Sequence, residues 1–429
     1  MGFVQDARRA VTIGLDLVAQ RKARRTVAQR LIKLPPPEPH TYKIGVYFAD
    51  GAVNMYQVRQ WYKPLLDISE KWPVVFLSRN STAAATLFEE SPVPVAFVRS
   101  VKTLEKMIAE QDLRIILYVN QNMKNFQMMR YGRRWHVFIN HGESDKMYMT
   151  TNQFKAYDYS LIAGDAARER LSKVLWDFDF DKRAIPIGRP QADHYGGVLP
   201  FTPDEREVVL YAPTWEGDRS SAAYGSIVSH GVTLVEALIA TGRHRVIYRP
   251  HPRSGVVNHA YGEANKHIMN LLENANRDDP GAHHVVDRGA ELGWQLKAAD
   301  MAIVDISAMV YDRLAAGKPL IITRPVHPDA AIDEGGYLSA CEWLTAEDST
   351  DIVTHIDTLE HDPSAQERLD YWCQHYFGDT SPGAASAKFD SAISQLMKEW
   401  DRHSRLHQAD LPVLLAERED GDTATGDED

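Results

Sequence analysis

Residues 297–325, KAADMAIVDISAMVYDRLAAGKPLIITRP, decide the fold class. They read as a strand over Met301–Asp305, a polar turn over Ile306–Ala308, a helix over Met309–Ala316 and a second strand over Leu320–Thr323. Continuous apolar runs of this length suit a parallel sheet covered on both faces, and the helix supplies the crossover. Asp305 closes the first strand and Ser307 stands at the helix start. Backbone N–H groups and the helix dipole favour an anion there. Ligands of open α/β sheets collect outside the carboxyl ends of the strands, so Asp305 and Ser307 are candidate phosphate-site residues. The plainer reading is that Ser307 caps its helix.

Working outward, strands are expected at Val208–Tyr211, Arg245–Tyr248 and His284–Val286, in series with the two above. An earlier series covers Lys43–Phe48, Pro73–Leu77, Val93–Val98, Ile115–Val119, Val137–Asn140 and Ser160–Ala163, with helices over Thr82–Glu90 and Leu104–Glu110. Alternating strands and helices give an α/β fold of two Rossmann-like domains, each with a parallel sheet, facing a central cleft in the GT-B manner. The boundaries follow from composition. Residues 1–40 form a basic amphipathic helix and a Pro-rich linker, and 41–200 form the first Rossmann-like domain. Residues 201–400 form the second Rossmann-like domain with a C-terminal helix, and 401–429 form an acidic, disordered tail. Between the domains lies a Gly/Pro-rich link, Ala184–Gly188 running into Arg189-Pro190.

With 429 residues, two full cores are available. The net charge of −11 argues against a nucleic-acid partner, although residues 1–34 carry eight Lys/Arg against Asp6 and Asp16. Val11, Leu15, Val18, Val27, Leu31 and Leu34 recur at helical spacing among these cations. Such a helix suits either an anionic membrane surface or a packed face of the protein. Two cysteines, Cys341 and Cys373, lack metal-ligand spacing and point to a reducing cytoplasmic compartment. No apolar run spans a bilayer and no signal-peptide core is seen, so a cytoplasmic protein, peripheral on the inner membrane face, is expected.

Polar clusters follow the expected strands. In Asn140-His-Gly-Glu-Ser-Asp-Lys146, His141 suits a general base, Glu143 or Asp145 could orient it, and Lys146 could meet a phosphate; a structural histidine is the alternative. In Tyr211-Ala-Pro-Thr-Trp-Glu216, Thr214 can donate to a phosphate and Trp215 can wall a pocket. In Tyr248-Arg-Pro-His-Pro-Arg253, Arg249, His251 and Arg253 make a diphosphate clamp with a proline-stiffened backbone. Tyr376-Phe-Gly-Asp-Thr-Ser-Pro-Gly-Ala-Ala-Ser386 leads into a C-terminal helix as an anion site or a capped start. The D-x-D run Asp177–Asp181 and the His403/His407 pair follow no expected strand and read as solvated surface. No protein-bound metal is expected. Mg²⁺ accompanying a diphosphate remains compatible, and no cofactor is required.

Taken in order, His141-Gly, Ile187-Gly-Arg-Pro, Tyr211-Ala-Pro-Thr-Trp, Arg249-Pro-His-Pro, Asp305-Ile-Ser307, Tyr311-Asp312 and Phe377-Gly-Asp…Gly383-Ala-Ala-Ser386 resemble the CDP-glycerol glycerophosphotransferase family, the teichoic-acid primases and polymerases. The resemblance covers roughly residues 42–400. It implies a GT-B fold and transfer of glycerol phosphate from CDP-glycerol, or a related CDP-alditol, to a polyprenyl-diphosphate-linked acceptor, with release of CMP. It assigns His141 as base, His251 to the donor diphosphate and Ser307 to the first serine of the D-Y-S-S motif. This chain is a divergent member on that reading: W-H-G-T-P-L-K becomes Asn140-His-Gly-Glu-Ser-Asp-Lys146, and the second serine becomes Ala308. The same layout serves nucleotide-sugar glycosyltransferases and epimerases, for which Glu143, Asp145 and Glu291 offer carboxylates. A non-catalytic binding role in a wall-polymer complex is the third reading. Oligomeric state is not encoded in any pattern here.

Overall fold

The computed structural model describes residues 2–143, 151–289, 292–333 and 335–407, with side chains from Val18 onward. Seven parallel strands form the first sheet: β1 (Ile44–Phe48), β2 (Val74–Ser78), β3 (Val95–Phe97), β4 (Ile115–Tyr118), β5 (Trp135–Phe138), β6 (Tyr159–Ile162) and β7 (Ala184–Pro186), in the order β3-β2-β1-β4-β5-β6-β7. Six form the second: β8 (Glu207–Ala212), β9 (His244–Tyr248), β10 (Val285–Val286), β11 (Met301–Val304), β12 (Leu320–Thr323) and β13 (Glu342–Leu344), in the order β10-β9-β8-β11-β12-β13. Strand order therefore reverses between β1 and β4 in one sheet and between β8 and β11 in the other. Those reversals open the crevices in which such sheets hold ligands. The fold is α/β and GT-B-like.

Central strands are buried on both faces because alternate residues feed two separate cores. Val46, Phe48, Phe76 and Leu117 enter one layer, whereas Tyr47, Leu77, Ile116 and Tyr118 enter the other. In the second sheet Leu210, Ala302 and Val304 pack beneath Val310 and Leu314, and Val209, Val246 and Ile303 pack against Leu234, Leu238 and Ile268. The period-2 side-chain alternation of a strand makes this division unavoidable.

Three expectations need correction. Residues Ala184–Pro186, read as a link, add a seventh strand beside β6. Its proline ends an edge strand, where a missing N–H is tolerated. The strand expected to run to Asn140 stops at Phe138, and Asn140 takes a left-handed φ of 56° that turns the chain. The C-terminal helix, Ala384–Leu406, does not belong to the second domain. Phe389, Ile393, Leu396 and Met397 pack into the core of the first sheet. Trp135 Nε1 donates to Leu396 O at 3.0 Å, and Arg114 pairs with Asp401 at 2.9 Å.

Helix Gly2–Lys33 turns Ala23 and Val27 onto helix Ser81–Glu90, leaving Val18 and Ile32 outward. No helix among the described residues is long and apolar enough to cross a membrane.

Candidate functional site

The loop after β8 and the turn after β11 flank the reversal point of the second sheet, and Asp305 joins them. Its Oδ2 accepts from the backbone N–H of Thr214 at 2.7 Å and of Ser226 at 3.1 Å, while Oδ1 accepts from the Thr323 hydroxyl at 2.6 Å. Burial pushes this carboxyl up to about 6 despite those donors. Asp305 is fully enclosed, so it organises the loops around a ligand crevice instead of touching a ligand, which corrects its assignment to substrate binding. Thr214 is thereby held at the strand end through its backbone.

A second buried carboxylate, Glu216, was not singled out from the sequence. Its oxygens accept from Gly255 at 3.0 Å, Val257 at 2.8 Å and Asn258 at 2.9 Å, so the loop after β8 grips the loop after β9. That grip brings Trp215 against the Tyr248–Arg253 cluster. The His251 ring stacks near Trp215 at 6.3 Å with planes 25° apart, and the Arg253 guanidinium lies 3.7 Å from the centre of the Trp215 ring. Burial, then Arg253, lowers the His251 pKa below its usual 6.5. His251 Nδ1 accepts from the Arg253 N–H at 3.2 Å, which puts the ring proton on Nε2 as a donor. Arg249 is different. Its guanidinium pairs with buried Asp287 and donates to Gly289 O at 3.1 Å, so its charge is already matched within the protein. Of the expected three-cation clamp, Arg253 remains as the cation and His251 joins it as a neutral donor.

Ser307 does cap its helix, accepting from the Met309 N–H at 3.2 Å. Half-buried at the crevice, it keeps its own O–H for donation. The capping and anion readings are thus compatible.

On the first sheet, His141 follows β5. Its Nδ1 lies 3.0 Å from Val119 O, beyond the end of β4. A carbonyl only accepts, so Nδ1 carries the proton and Nε2 carries the lone pair. Tyr56 meets the ring edge-on at 5.8 Å. Burial lowers the His141 pKa, Val119 opposes this, and Arg189 lowers it further. A neutral imidazole with an accepting Nε2 is what a general base needs.

Glu143 does not orient that ring. It is buried and ion-paired to Arg170, whose guanidinium also sits 5.9 Å from the Tyr376 ring. Glu143, expected from sequence among the catalytic groups, is thus engaged by Arg170 next to the turn that carries His141. Lys146, with Ser144 and Asp145, lies outside the described residues, as does Glu291.

The Gly383–Ser386 segment is a capped start: Asp193 accepts from Gly383 N at 2.9 Å and Ser386 N at 2.6 Å, occupying that helix end with its own carboxylate. The Asp177, Asp179 and Asp181 side chains are exposed around buried Phe178. His403 and His407 stack at 6.2 Å on the surface of the last helix. Among the described residues no three His, Cys, Asp or Glu side chains converge as a metal-binding group. What the carboxyl edge of the second sheet offers is chemistry for an anion beside a flat ring: Arg253 and His251 against the Trp215 face, with the Ser307 hydroxyl at the turn after β11.

No family model matches the chain, and no curated protein matches it either. Solved structures do. The wall teichoic acid polymerase TagF superposes with a TM-score of 0.55 at 14% identity, over 93% of this chain and 99% of that one. A TagF variant soaked with CDPG gives 0.54 at 14% identity, over 93% and 99%. A putative UDP-N-acetylglucosamine 2-epimerase from Listeria monocytogenes gives 0.51 at 14% identity, over 84% and 97%. At such identity the likeness is one of fold.

Proposed function

We propose that this chain transfers glycerol phosphate from CDP-glycerol, or a related CDP-alditol, to a hydroxyl of a polyprenyl-diphosphate-linked or polymeric acceptor in a teichoic-acid or capsule-like pathway. The observation that carries the reading is His141, a neutral imidazole held with Nε2 as acceptor at the carboxyl edge of the first sheet. In the reaction Nε2 takes the proton of the acceptor hydroxyl. The freed oxygen bonds to the β-phosphorus, the bond from that phosphorus to the bridging oxygen breaks, and CMP leaves with the electron pair. Arg253, His251 Nε2–H and the Ser307 hydroxyl meet the charge that accumulates on the departing phosphate. Transfer of this kind depends mainly on positioning and fixed charge. Work on a lipid-linked acceptor fits the basic helix Gly2–Lys33, on which Arg21, Lys22, Arg24 and Arg25 are exposed.

The test is CMP release from CDP-glycerol with and without a polyprenyl-diphosphate-linked disaccharide. Acceptor-dependent release that His141→Ala abolishes supports the reading. Absence of both release and thermal stabilisation by CDP-glycerol overturns it. A nucleotide-sugar enzyme is the second reading, favoured by the fold shared with the putative epimerase. Its carboxylate chemistry is weakened by the engagement of Glu143 with Arg170. Stabilisation by a UDP-sugar but not by CDP-glycerol would select it.

A further inference from the structure

Arg189 follows β7, within the Ile187-Gly-Arg-Pro stretch, and is more than nine-tenths buried. On one side it forms an ion pair with Asp312, itself buried in helix Ala308–Ala315, whose first turn Ser307 caps. Tyr195 OH lies 3.5 Å from the same carboxylate. On the other side its Nη1 stands 3.7 Å from where a Cβ on Gly142 would sit, an ordinary van der Waals separation, so the guanidinium lies directly beside the Gly142 backbone. Its Nη2 donates to Gln60 Oε1 at 3.2 Å, and the adjacent Trp61 Nε1 donates to Asn140 O. Guanidinium, amide and indole together buttress the turn Asn140–Gly142 that carries His141.

From this geometry we infer that Arg189 is a positioning residue coupling the two halves of the site, holding the His141 turn of the first sheet to the Ser307-capped helix of the second. The inference rests on the reading of His141 and Ser307 given above. Stability alone is a poor reason for the pair, because desolvating two charges consumes most of their attraction and apolar replacements often do as well. Nor is the burial complete in its hydrogen bonding: Arg189 Nε has no protein partner among the described residues. Burial disfavours the charged guanidinium, but Asp312, Tyr195 and Glu143 more than reverse this, so the cation persists. Burial is the main cause of the lowered His141 pKa, and the nearby Arg189 cation adds to it. The other described titratable groups about His141 are Tyr56 at the ring edge and Glu143 in its own loop, the latter paired with Arg170.

The experiment needs no substrate, so its outcome is separate from that of the CMP-release assay. The full chain, with isotope-labelled histidine, is titrated by NMR, and the His141 signals are assigned by their loss in His141→Gln. Arg189→Gln should raise the His141 pKa by about half a unit or more, since a neighbouring cation is removed. Arg189→Lys, which keeps the charge, should restore most of the original value. Asp312→Asn, which strips the cation of its counter-charge, should move it the opposite way, and this variant serves if Arg189→Gln does not fold. A His141 pKa unchanged in Arg189→Gln with folding retained would overturn the inference. So would an unchanged value in Asp312→Asn.

Discussion

His141 Nδ1 and Val119 O lie 3.0 Å apart, joining the loop after β5 to the loop after β4 across the strand pair that carries them. The bond fixes the tautomer, and burial then holds the imidazole neutral below its ordinary 6.5. A base whose pKa is lowered keeps its lone pair to more acid pH. The acid limb of kcat/KM for CMP release should therefore fall below pH 6.5. His141→Ala should reduce kcat by about 10²–10⁴-fold, the usual range for a positioned acid or base, with CDP-glycerol binding largely retained. A limb above 6.5, or a His141→Ala rate within a few fold of the parent, would remove His141 as the base.

Asp305 separates structural from ligand-binding roles. Replacement by alanine strands the N–H groups of Thr214 and Ser226, each at about 1–3 kcal/mol when buried, so roughly 2–5 kcal/mol of stability should go. Asparagine can offer an oxygen to both donors and its NH₂ to the Thr323 oxygen, and should cost under about 1 kcal/mol. The carboxyl pKa rises on folding from 3.8 to about 6. Its contribution to stability is therefore full below the unfolded value and is lost as pH rises through about 6. Relative to the parent, Asp305→Asn should gain stability between pH 5 and 7 in urea unfolding. Equal tolerance of alanine and asparagine would contradict the network.

Fold and site differed in how far sequence carried them. The runs Val208–Tyr211 and Met301–Val304 reveal themselves because a strand buried on both faces must be apolar throughout. Strand β13 begins with a half-buried glutamate, spans Glu342–Leu344 at the sheet edge, and leaves no such run. The helix Ala384–Leu406 shows its apolar stripe plainly, but a stripe does not say which sheet it will meet. Site residues divide in the same way. His141, His251, Arg253 and Ser307 are reachable from strand-end position, where ligands collect. The ion pairs Glu143–Arg170 and Arg189–Asp312 are not, because each partner is delivered by a distant element. Glu216 was within reach: a glutamate after Pro-Thr-Trp at a strand end carries the signal, and only its three backbone donors show its purpose.

Glu216 should govern the order of the loop after β9. Burial pushes its carboxyl up, but backbone donors at Gly255, Val257 and Asn258 outweigh this and hold it below its usual 4.5. Glu216→Ala removes all three acceptor contacts. Amide exchange at Gly255, Val257 and Asn258 should quicken about tenfold or more, the equivalent of about 1.4 kcal/mol of local opening. Glu216→Gln, keeping one accepting oxygen, should slow Val257 and Asn258 more than Gly255 relative to alanine, since Oε1 serves the first two and Oε2 the third. Exchange that is indifferent to both substitutions would mean that the loop is held by something else.

Helix Gly2–Lys33 exposes Val18 and Ile32 together with Arg21, Lys22, Arg24 and Arg25, whereas exposed Arg30 and Lys33 flank its packed side next to Phe88 and Glu89. Ala23 and Val27 are spent on helix Ser81–Glu90, so packing on the protein and attraction to an anionic surface use opposite faces. Each cation near an anionic leaflet contributes about 1 kcal/mol. Arg24→Ala with Arg25→Ala should then weaken sedimentation with phosphatidylserine-containing vesicles by roughly thirtyfold, a change of about 2 kcal/mol. Binding should fall steeply between 50 and 300 mM salt as the Debye length shrinks, and zwitterionic vesicles should bind poorly. Because neither arginine touches the core, the melting temperature should hold. Undiminished, salt-sensitive binding by the double variant would take the leaflet contact away from this helix.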